Sequence, residues 1–240
     1  MDKVNKKYTY EEFLDIIRTL RGENGCPWDR VQTHESLKPC MTEEAAELIA
    51  SIRIYEKTGN PENMIEELGD VLLQVVMHAQ IASEEGLFTM ADVIDEVSRK
   101  MVRRHPHVFG TGNADTPDEV LTNWEEIKKE EKKDKEWVKS PLREIPQELP
   151  ALTRAAKVLK KVDKHYGQGS TYEQDVEALQ EAVEALEACR PEVYSKEIER
   201  ILTDMLMRLS DIARIGKISH EQALTDRIED LIDQYEKKVH

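Results

Sequence analysis

The stretch EEAAELIASIRIYEKTGNPENMIEELGDVLLQVVMHAQIA, residues 43–82, decides the fold class. Apolar residues recur at helical spacing on both sides of Gly59-Asn60-Pro61, a combination typical of a turn. The pattern predicts one helix that begins near Ser36 or just after Pro39 and ends at about Tyr55, with Thr42 as a candidate N-cap. It predicts another helix over about residues 61–83. Because the connecting turn is short, we expect the two helices to pack antiparallel.

Helical patterns continue outward from this pair in both directions. Residues 13–20 predict a helix before it, and residues 90–104 predict a helix after it with Val93, Ile94, Val97 and Met101 facing inward. Residues 107–117 are interpreted as a loop, and residues 119–132 as a very polar helix. With only 10 Gly and 9 Pro in 240 residues, a turn-rich β-sandwich is excluded. The predicted fold class is all-α.

The charge balance excludes one class of partner. The chain carries 34 Lys and Arg against 49 Asp and Glu, a formal net charge of −15, which argues against binding to polymeric nucleic acid. The uncharged run 71–83 is too short to span a membrane, and no apolar segment follows the N-terminal basic residues. Three cysteines are an odd number without a metal-binding spacing, so we expect free thiols and a cytoplasmic protein.

Two pairs of acids on the central helices are the candidate functional residues. Glu44 and Glu47 are three residues apart on the first helix, and Glu67 and Asp70 are three apart on the second. Such pairs are common on solvated helices, but the apolar residues around Asp70 predict that it is partly buried. Four carboxylates facing each other across the helix interface are unfavourable without a cation. Because all the donors are oxygen atoms, the pattern suits Mg²⁺ or Mn²⁺.

A second, weaker copy of this pattern follows a charged linker. Residues 128–139 are almost purely charged and are bounded by prolines, so we place a domain boundary near residue 140, between domains 1–140 and 141–240. Aligning Asp70 with Asp204 superimposes DVLLQVVMHAQI on DMLMRLSDIARI, which suggests a duplication. The alternative is the general similarity of amphipathic helices to one another.

Five segments between residues 25 and 132 form a recognisable set. They are GCPWDRVQTHESL (25–37), EEAAE (43–47), ELGD (67–70), RRHPHVFG (103–110) and WEEIKKEEK (124–132). Together they resemble the MazG family of nucleoside triphosphate pyrophosphohydrolases. The acid pattern of the second and third segments is shared with all-α dUTPases, dCTPases and phosphoribosyl-ATP pyrophosphohydrolases, whereas the first and fourth segments point to MazG itself. The resemblance covers residues 8–165 closely and the rest weakly.

The resemblance implies an Mg²⁺-dependent hydrolase that cleaves a nucleoside triphosphate into a monophosphate and pyrophosphate by water attack on the α-phosphorus. Carried over by motif, the metal ligands are Glu44, Glu47, Glu67 and Asp70. Glu43 is expected to orient or deprotonate the attacking water, although it could equally be an exposed helix residue. A homodimer, resembling a four-helix bundle on dimerisation, is the implied assembly.

The resemblance also implies roles for basic and aromatic residues. Lys100, Arg103 and Arg104 lie on one helix face and become a phosphate clamp, whereas alone they would be an ordinary basic helix end. Trp28 becomes a candidate for stacking on the base, the alternative being a core residue. Arg21 and Lys38 are weaker phosphate candidates. His34, His105 and His107 are interpreted as loop or packing residues.

The second half departs from the family pattern at several positions at once. Glu181 and Glu184 correspond to Glu44 and Glu47, but Ile201 replaces Glu67. The clamp positions become Asp230, Asp233 and Gln234, and YGQGSTY (166–172) stands where the family has a Phe-Asp-Trp-like segment. We therefore expect a degenerate MazG-like domain without catalysis. The alternative for the whole chain is a catalytically weak nucleotide- or partner-binding regulatory module.

Overall fold

The structure of the chain is a computed structural model that describes residues 6–131, 140–189 and 195–236, the side chain of Lys129 excepted. Within these ranges the chain forms eleven α-helices and no β-strand, so the predicted all-α class is confirmed. The chain divides between Lys129 and Glu130 into two compact units. The predicted boundary near residue 140 borders residues 132–139, which lie outside the described ranges.

The first unit contains seven helices, and α3 and α4 among them are the pair that residues 43–82 predict. They are α1 (Tyr10–Arg21), α2 (Pro27–Arg30), α3 (Lys38–Thr58), α4 (Glu62–Glu84), α5 (Met90–Arg104), α6 (Pro106–Phe109) and α7 (Pro117–Glu130).

Two local predictions about these helices are wrong. Thr42 is not an N-cap, because α3 already begins at Lys38 and the Thr42 hydroxyl donates to the Lys38 carbonyl oxygen inside the helix. Pro39 fits this earlier start, since proline is tolerated in the first helical turn. The second wrong prediction is the loop over residues 107–117. Its first residues belong to the single helical turn of α6, which begins at Pro106.

Helix α4 is the centre of the first unit. It packs against α3 on one side and against α1 and α5 elsewhere, as the short turn at Gly59 requires. Gly59 adopts φ +70°, a left-handed conformation that ends α3. The core consists of Ile17, Leu37, Val76, Met77 and Ile81, each at most 3% exposed. The antiparallel pair of helices is therefore built as the periodicity predicts.

Arg21 fastens the segment after α1 to α4. Its guanidinium forms a two-point ion pair with Glu84, with Nε–Oε1 at 3.0 Å and Nη2–Oε2 at 2.7 Å. It also donates to the backbone carbonyl oxygens of Asp29 and Gln32. Because these acceptors engage the guanidinium, Arg21 has a structural role instead of the weaker phosphate role considered from sequence.

Part of the predicted core is exposed within a single chain. On α4, Val76 and Ala79 are 2% exposed, but Ile65, Leu68 and Leu72 on the same stripe are 66%, 50% and 39% exposed. On α5, Ile94 and Val97 are also exposed, contrary to the prediction that they face inward. Periodicity identified the apolar faces correctly but not which part of each face the chain itself covers.

The second unit repeats the helix order of the first around a central α10. Helix α10 packs against α9 and α8, and α11 packs against α8. Its helices are α8 (Ala151–Tyr166), α9 (Tyr172–Ala188), α10 (Lys196–Ile215) and α11 (His220–Glu236). In the described part of the chain, no helix combines the length and apolar character that a bilayer crossing requires.

Candidate metal centre

Three carboxylates from the central helix pair converge on one point. One carboxylate oxygen each from Glu44, Glu67 and Asp70 lies within 4.8 Å of the other two, and all three side chains are half-buried. Glu44 comes from α3, whereas Glu67 and Asp70 are three residues apart on one face of α4. We call these three residues the acid cluster. The packing of α3 on α4 is what brings the two helices' acids together.

The clearest electrostatic effect within the acid cluster is on the pKa of Glu44. Burial raises the pKa of Glu44, and the neighbouring carboxylates of Asp70, Glu47 and Glu67 raise it further. A hydrogen bond from the Gln74 side chain acts in the opposite direction. In the described part of the chain, the charged groups that shift the pKa of Glu44 are thus all acidic. A bound cation would stabilise the ionised carboxylates of such a site.

Two amide side chains support the acid cluster, and sequence reasoning missed both. Gln74, only 6% exposed, places Nε2 at 3.5 Å from the Glu44 carboxylate, and Asn63 Nδ2 donates to Glu67 at 2.9 Å. Their spacing was the available signal, because positions 63, 67, 70 and 74 recur at helical intervals on one face of α4. Gln74 Oε1 is buried without a hydrogen-bond partner among the described residues.

Glu47 and Glu43 lie apart from the acid cluster. Both side chains are exposed on α3, and Glu47 is not among the carboxylates that meet within 4.8 Å. Glu47 is nevertheless close enough to raise the pKa of Glu44. The predicted ligand role of Glu47 and the predicted role of Glu43 toward water stay predictions.

The donor set fits a hard divalent cation. It consists of carboxylate oxygens, with an amide oxygen of Gln74 nearby on the same helix face and no sulfur or imidazole within the group. Oxygen ligands of this kind suit Mg²⁺, Mn²⁺ or Ca²⁺ more than Zn²⁺. The residues present therefore fit the metal that the sequence pattern predicted, without selecting among these ions.

The predicted phosphate clamp lies at the end of α5. Lys100 and Arg104 are half-buried and Arg103 is exposed, and the Arg104 guanidinium lies 5.8 Å from the centre of the Trp124 ring. His105 also contacts this ring, at 6.2 Å between ring centres. Trp124 is thus a partner of the clamp that sequence reasoning did not single out. That the clamp binds phosphate stays a prediction.

Trp28 is not a core residue. It lies on the short helix α2 and is 60% exposed, which removes the packing alternative considered from sequence. Its ring is accessible, so stacking on a base stays a prediction.

The corresponding positions of the second unit contain no comparable cluster among the described residues. Ile201, which replaces Glu67, is 6% exposed and belongs to the core. Asp204, Glu181 and Glu184 are exposed on their helices. Position 201 is therefore a packing position in the second unit.

Buried acids of the second unit are paired with arginine instead. Asp175 and Asp211, 0% and 2% exposed, both accept from the Ser170 hydroxyl, at 2.8 and 2.9 Å. Arg208 donates to Asp175 at 3.1 Å, and Arg214 donates to Asp211. Burial raises the pKa of Asp211, but the bonds from Arg214 and Ser170 outweigh burial and leave this pKa lowered. Ser170 belongs to the segment YGQGSTY.

Comparison with known proteins agrees with the geometry of the first unit. Residues 32–109, which contain the acid cluster and the clamp positions, match the family model described as the MazG nucleotide pyrophosphohydrolase domain. The chain is 40% identical over 229 residues to the nucleoside triphosphate pyrophosphohydrolase/pyrophosphatase MazG of Thermotoga maritima, covering 95% of this chain and 84% of that protein.

Two further relatives extend this comparison. The nucleoside triphosphate pyrophosphohydrolase of Escherichia coli is 37% identical over 207 residues, covering 85% of this chain and 77% of that protein. An uncharacterized protein, YabN of Bacillus subtilis, is 53% identical over 153 residues, but the chain spans only 30% of its length.

Proposed function

The chain belongs to the MazG family of nucleotide pyrophosphohydrolases, and on this premise we propose that it hydrolyses nucleoside triphosphates at the acid cluster of its first unit. Water adds to the α-phosphorus, the bond from this phosphorus to the bridging oxygen of the β-phosphate breaks, and the products are a nucleoside monophosphate and pyrophosphate. The observation that carries the proposal is the convergence of Glu44, Glu67 and Asp70.

The metal that we propose for the acid cluster is Mg²⁺, with Mn²⁺ as a substitute. Glu44, Glu67 and Asp70 would hold it, with Glu47 as a fourth ligand. When bound, the cation supplies Lewis acidity toward the phosphoryl oxygens and lowers the pKa of a coordinated water. Gln74 and Asn63 keep the Glu44 and Glu67 carboxylates in place through their amide hydrogen bonds.

We assign the remaining steps to residues outside the acid cluster. Glu43, one residue before Glu44 on α3, accepts the proton of the attacking water or orients that water. Lys100, Arg103 and Arg104 neutralise the negative charge of the triphosphate. Trp28 provides an exposed ring for the base. The second unit has a structural role, because its buried acids are already paired with Arg208 and Arg214.

A phosphate-release assay tests this function. A panel of NTPs and dNTPs is incubated with and without Mg²⁺, and pyrophosphate and orthophosphate are measured separately. We expect Mg²⁺-dependent release of pyrophosphate in equal amount to monophosphate. Release of orthophosphate alone would contradict the proposed site of cleavage. Nucleotide binding without turnover would favour the regulatory module instead.

We further propose that the chain forms a homodimer that covers the exposed part of the α4 stripe. Val76 and Ala79 form the buried part of this apolar stripe. Ile65, Leu68 and Leu72 continue the stripe but are 39–66% exposed. A second copy of the same helix offers a matching apolar surface. Sedimentation should give a dimer for the wild-type chain and a shift toward monomer for Leu68→Glu, while Leu121→Glu on α7 leaves the dimer intact. A wild-type monomer would contradict the proposal.

A further inference from the structure

Two histidines of the first unit form a close pair away from the acid cluster. His34, in the segment between α2 and α3, and His78, on α4, place their Nδ1 atoms 2.7 Å apart. Their rings are nearly parallel, at 6°, with centres 5.1 Å apart. His78 follows Asp70 by eight residues, which is about 12 Å along the helix axis. The pair is therefore separate from the acid cluster.

The short distance fixes how many protons the pair can hold. Of two neutral imidazoles facing each other through Nδ1, one must donate and the other must accept. A second proton at the same place would set two cations against each other. The position between the two Nδ1 atoms thus accommodates one electrophile, either a shared proton or a metal ion.

A carboxylate lies near the outer nitrogen of the pair. The Nε2 atom of His34, on the far side of the ring from His78, lies 4.0 Å from a Glu85 carboxylate oxygen, which is longer than a hydrogen bond. Metal-bound histidines usually donate from the second ring nitrogen to a carboxylate, and Glu85 is the candidate for that role. Burial and the neighbouring His34 both lower the pKa of His78, which favours the neutral imidazole that metal binding requires.

We propose that His34 and His78 bind a borderline divalent cation, Zn²⁺, through their Nδ1 atoms. Imidazole ligands suit Zn²⁺, whereas the oxygen donors of the acid cluster suit a hard cation. Zinc–nitrogen bonds of about 2.0–2.1 Å in tetrahedral geometry place the two nitrogens about 3.4 Å apart, so the Nδ1–Nδ1 distance needs to increase by about 0.7 Å. The His34 side chain is 42% exposed, which leaves room for this movement and for water ligands.

Bound Zn²⁺ would fasten the segment before α3 to α4. This segment is already held to α4 by Arg21 and Glu84 from its other side. The cation would therefore reinforce an existing contact without reaching the acid cluster. The proposal does not depend on the proposed hydrolase activity.

Isothermal titration of the full chain with ZnCl₂ in excess Mg²⁺ tests the site, because Mg²⁺ occupies the oxygen donors. We expect one Zn²⁺ per chain for the wild type, and loss of this binding in both His34→Gln and His78→Gln. The matched control is His165→Gln, an exposed histidine of α8, and it should bind like the wild type. Glu67→Gln should also keep its Zn²⁺. Circular dichroism confirms that each variant is folded.

Three results would overturn the proposal. They are no binding to the wild type, unchanged binding in both histidine variants, and loss of binding in Glu67→Gln. If a histidine variant fails to fold, the imidazole ¹⁵N spectrum of the wild-type chain decides. Of its seven histidines, two should shift at Nδ1 when one equivalent of Zn²⁺ is added. An unchanged spectrum, or shifts at Nε2 only, would contradict the site.

Discussion

The helix pairs α3–α4 and α9–α10 are alike in order and packing but treat their acids in opposite ways. In the first pair, Glu44, Glu67 and Asp70 converge, and the charges acting on Glu44 are all acidic. In the second pair, Asp175 and Asp211 are buried, and each accepts from an arginine and from Ser170. We propose that a cation from solution completes the first arrangement, whereas the second is neutralised within the chain.

The difference separates a binding site from a structural network. Like charges in a half-buried site weaken the protein unless a ligand relieves them, so such a site is a reason to expect binding. A buried acid paired with arginine needs no ligand, and breaking the pair leaves an uncompensated charge. The same helical framework therefore supports chemistry in one unit and packing in the other.

Replacing one acid in each unit gives the largest expected contrast. Glu67→Ala removes a proposed metal ligand. We expect kcat/KM to fall on the order of 10²-fold or more, because loss of a residue that only hydrogen-bonds to a metal ligand already lowers activity by about 10- to 100-fold. Asp204→Ala, at the exposed position that aligns with Asp70, should leave kcat/KM within about twofold of the wild type. Pyrophosphate release under saturating Mg²⁺ measures both.

The opposite pattern would reverse the assignment of the two units. If Asp204→Ala were inactive and Glu67→Ala active, the second unit would be the catalytic one. Equal losses in both variants would contradict the assignment of catalysis to the first unit alone.

Placing a glutamate at position 201, which aligns with Glu67, tests whether the second unit tolerates an acid there. Ile201 is 6% exposed, so Ile201→Glu places a carboxylate at a position that packs in the core. We expect a loss of about 3–5 kcal/mol in the free energy of unfolding, against about 0.5–1.5 kcal/mol for the control Ile201→Val. Hydrogen exchange of α10 peptides measures the local effect. Similar protection in both variants would show that position 201 tolerates charge.

Much of the fold and the acid cluster could be predicted because both depend on local spacing. The periodicity of residues 43–82 determines the helix pair, and the short turn at Gly59 places Glu44 opposite Glu67 and Asp70. The N-cap of α3 was wrongly predicted at Thr42, because a threonine before several acids resembles a cap that the proline-initiated helix does not use. Local patterns thus located the elements better than their ends.

The second unit's network could not be predicted, because its contacts join distant residues. Asp211 is 41 positions from Ser170, and Asp175 is 33 positions from Arg208. Helical spacing gives no information on such pairs. The position of Gln74 could have been predicted, since it lies on the same face of α4 as Asp70. It was missed because an uncharged side chain is not an obvious part of an acidic site.

Replacing Gln74 should have an intermediate effect and tests whether this amide supports the acid cluster. Gln74→Met keeps the approximate volume but removes the amide that lies at 3.5 Å from Glu44. We expect the Mg²⁺ concentration for half-maximal activity to rise about 10-fold, with a smaller change in kcat at saturating Mg²⁺. Gln180→Met, an exposed residue of α9, is the matched control. A change in kcat alone would assign Gln74 to the reaction instead of the metal.

The smallest expected effect is a pH-dependent stabilisation by Mg²⁺ that only the first unit can produce. Because the pKa of Glu44 is raised in the folded chain, the folded state binds more protons than the unfolded state around this pKa. The stability of the metal-free chain should therefore fall as the pH rises from the ordinary glutamate value of 4.5 through the raised value. Bound Mg²⁺ compensates the ionised carboxylate, so it should raise Tm by a few degrees more at pH 7 than at pH 5.

Thermal unfolding of the wild type and of Glu44→Gln, with and without Mg²⁺, measures this difference. Glutamine does not ionise, so the variant should lose both the decline in stability and most of its dependence on Mg²⁺. Asp211→Asn in the second unit is the counterpart, because the pKa of Asp211 is lowered and its contribution is lost only as the pH falls. That variant should keep the full Mg²⁺ effect. If Mg²⁺ stabilised Glu44→Gln as strongly as the wild type, the cation would bind elsewhere and the contrast between the two helix pairs would not rest on charge.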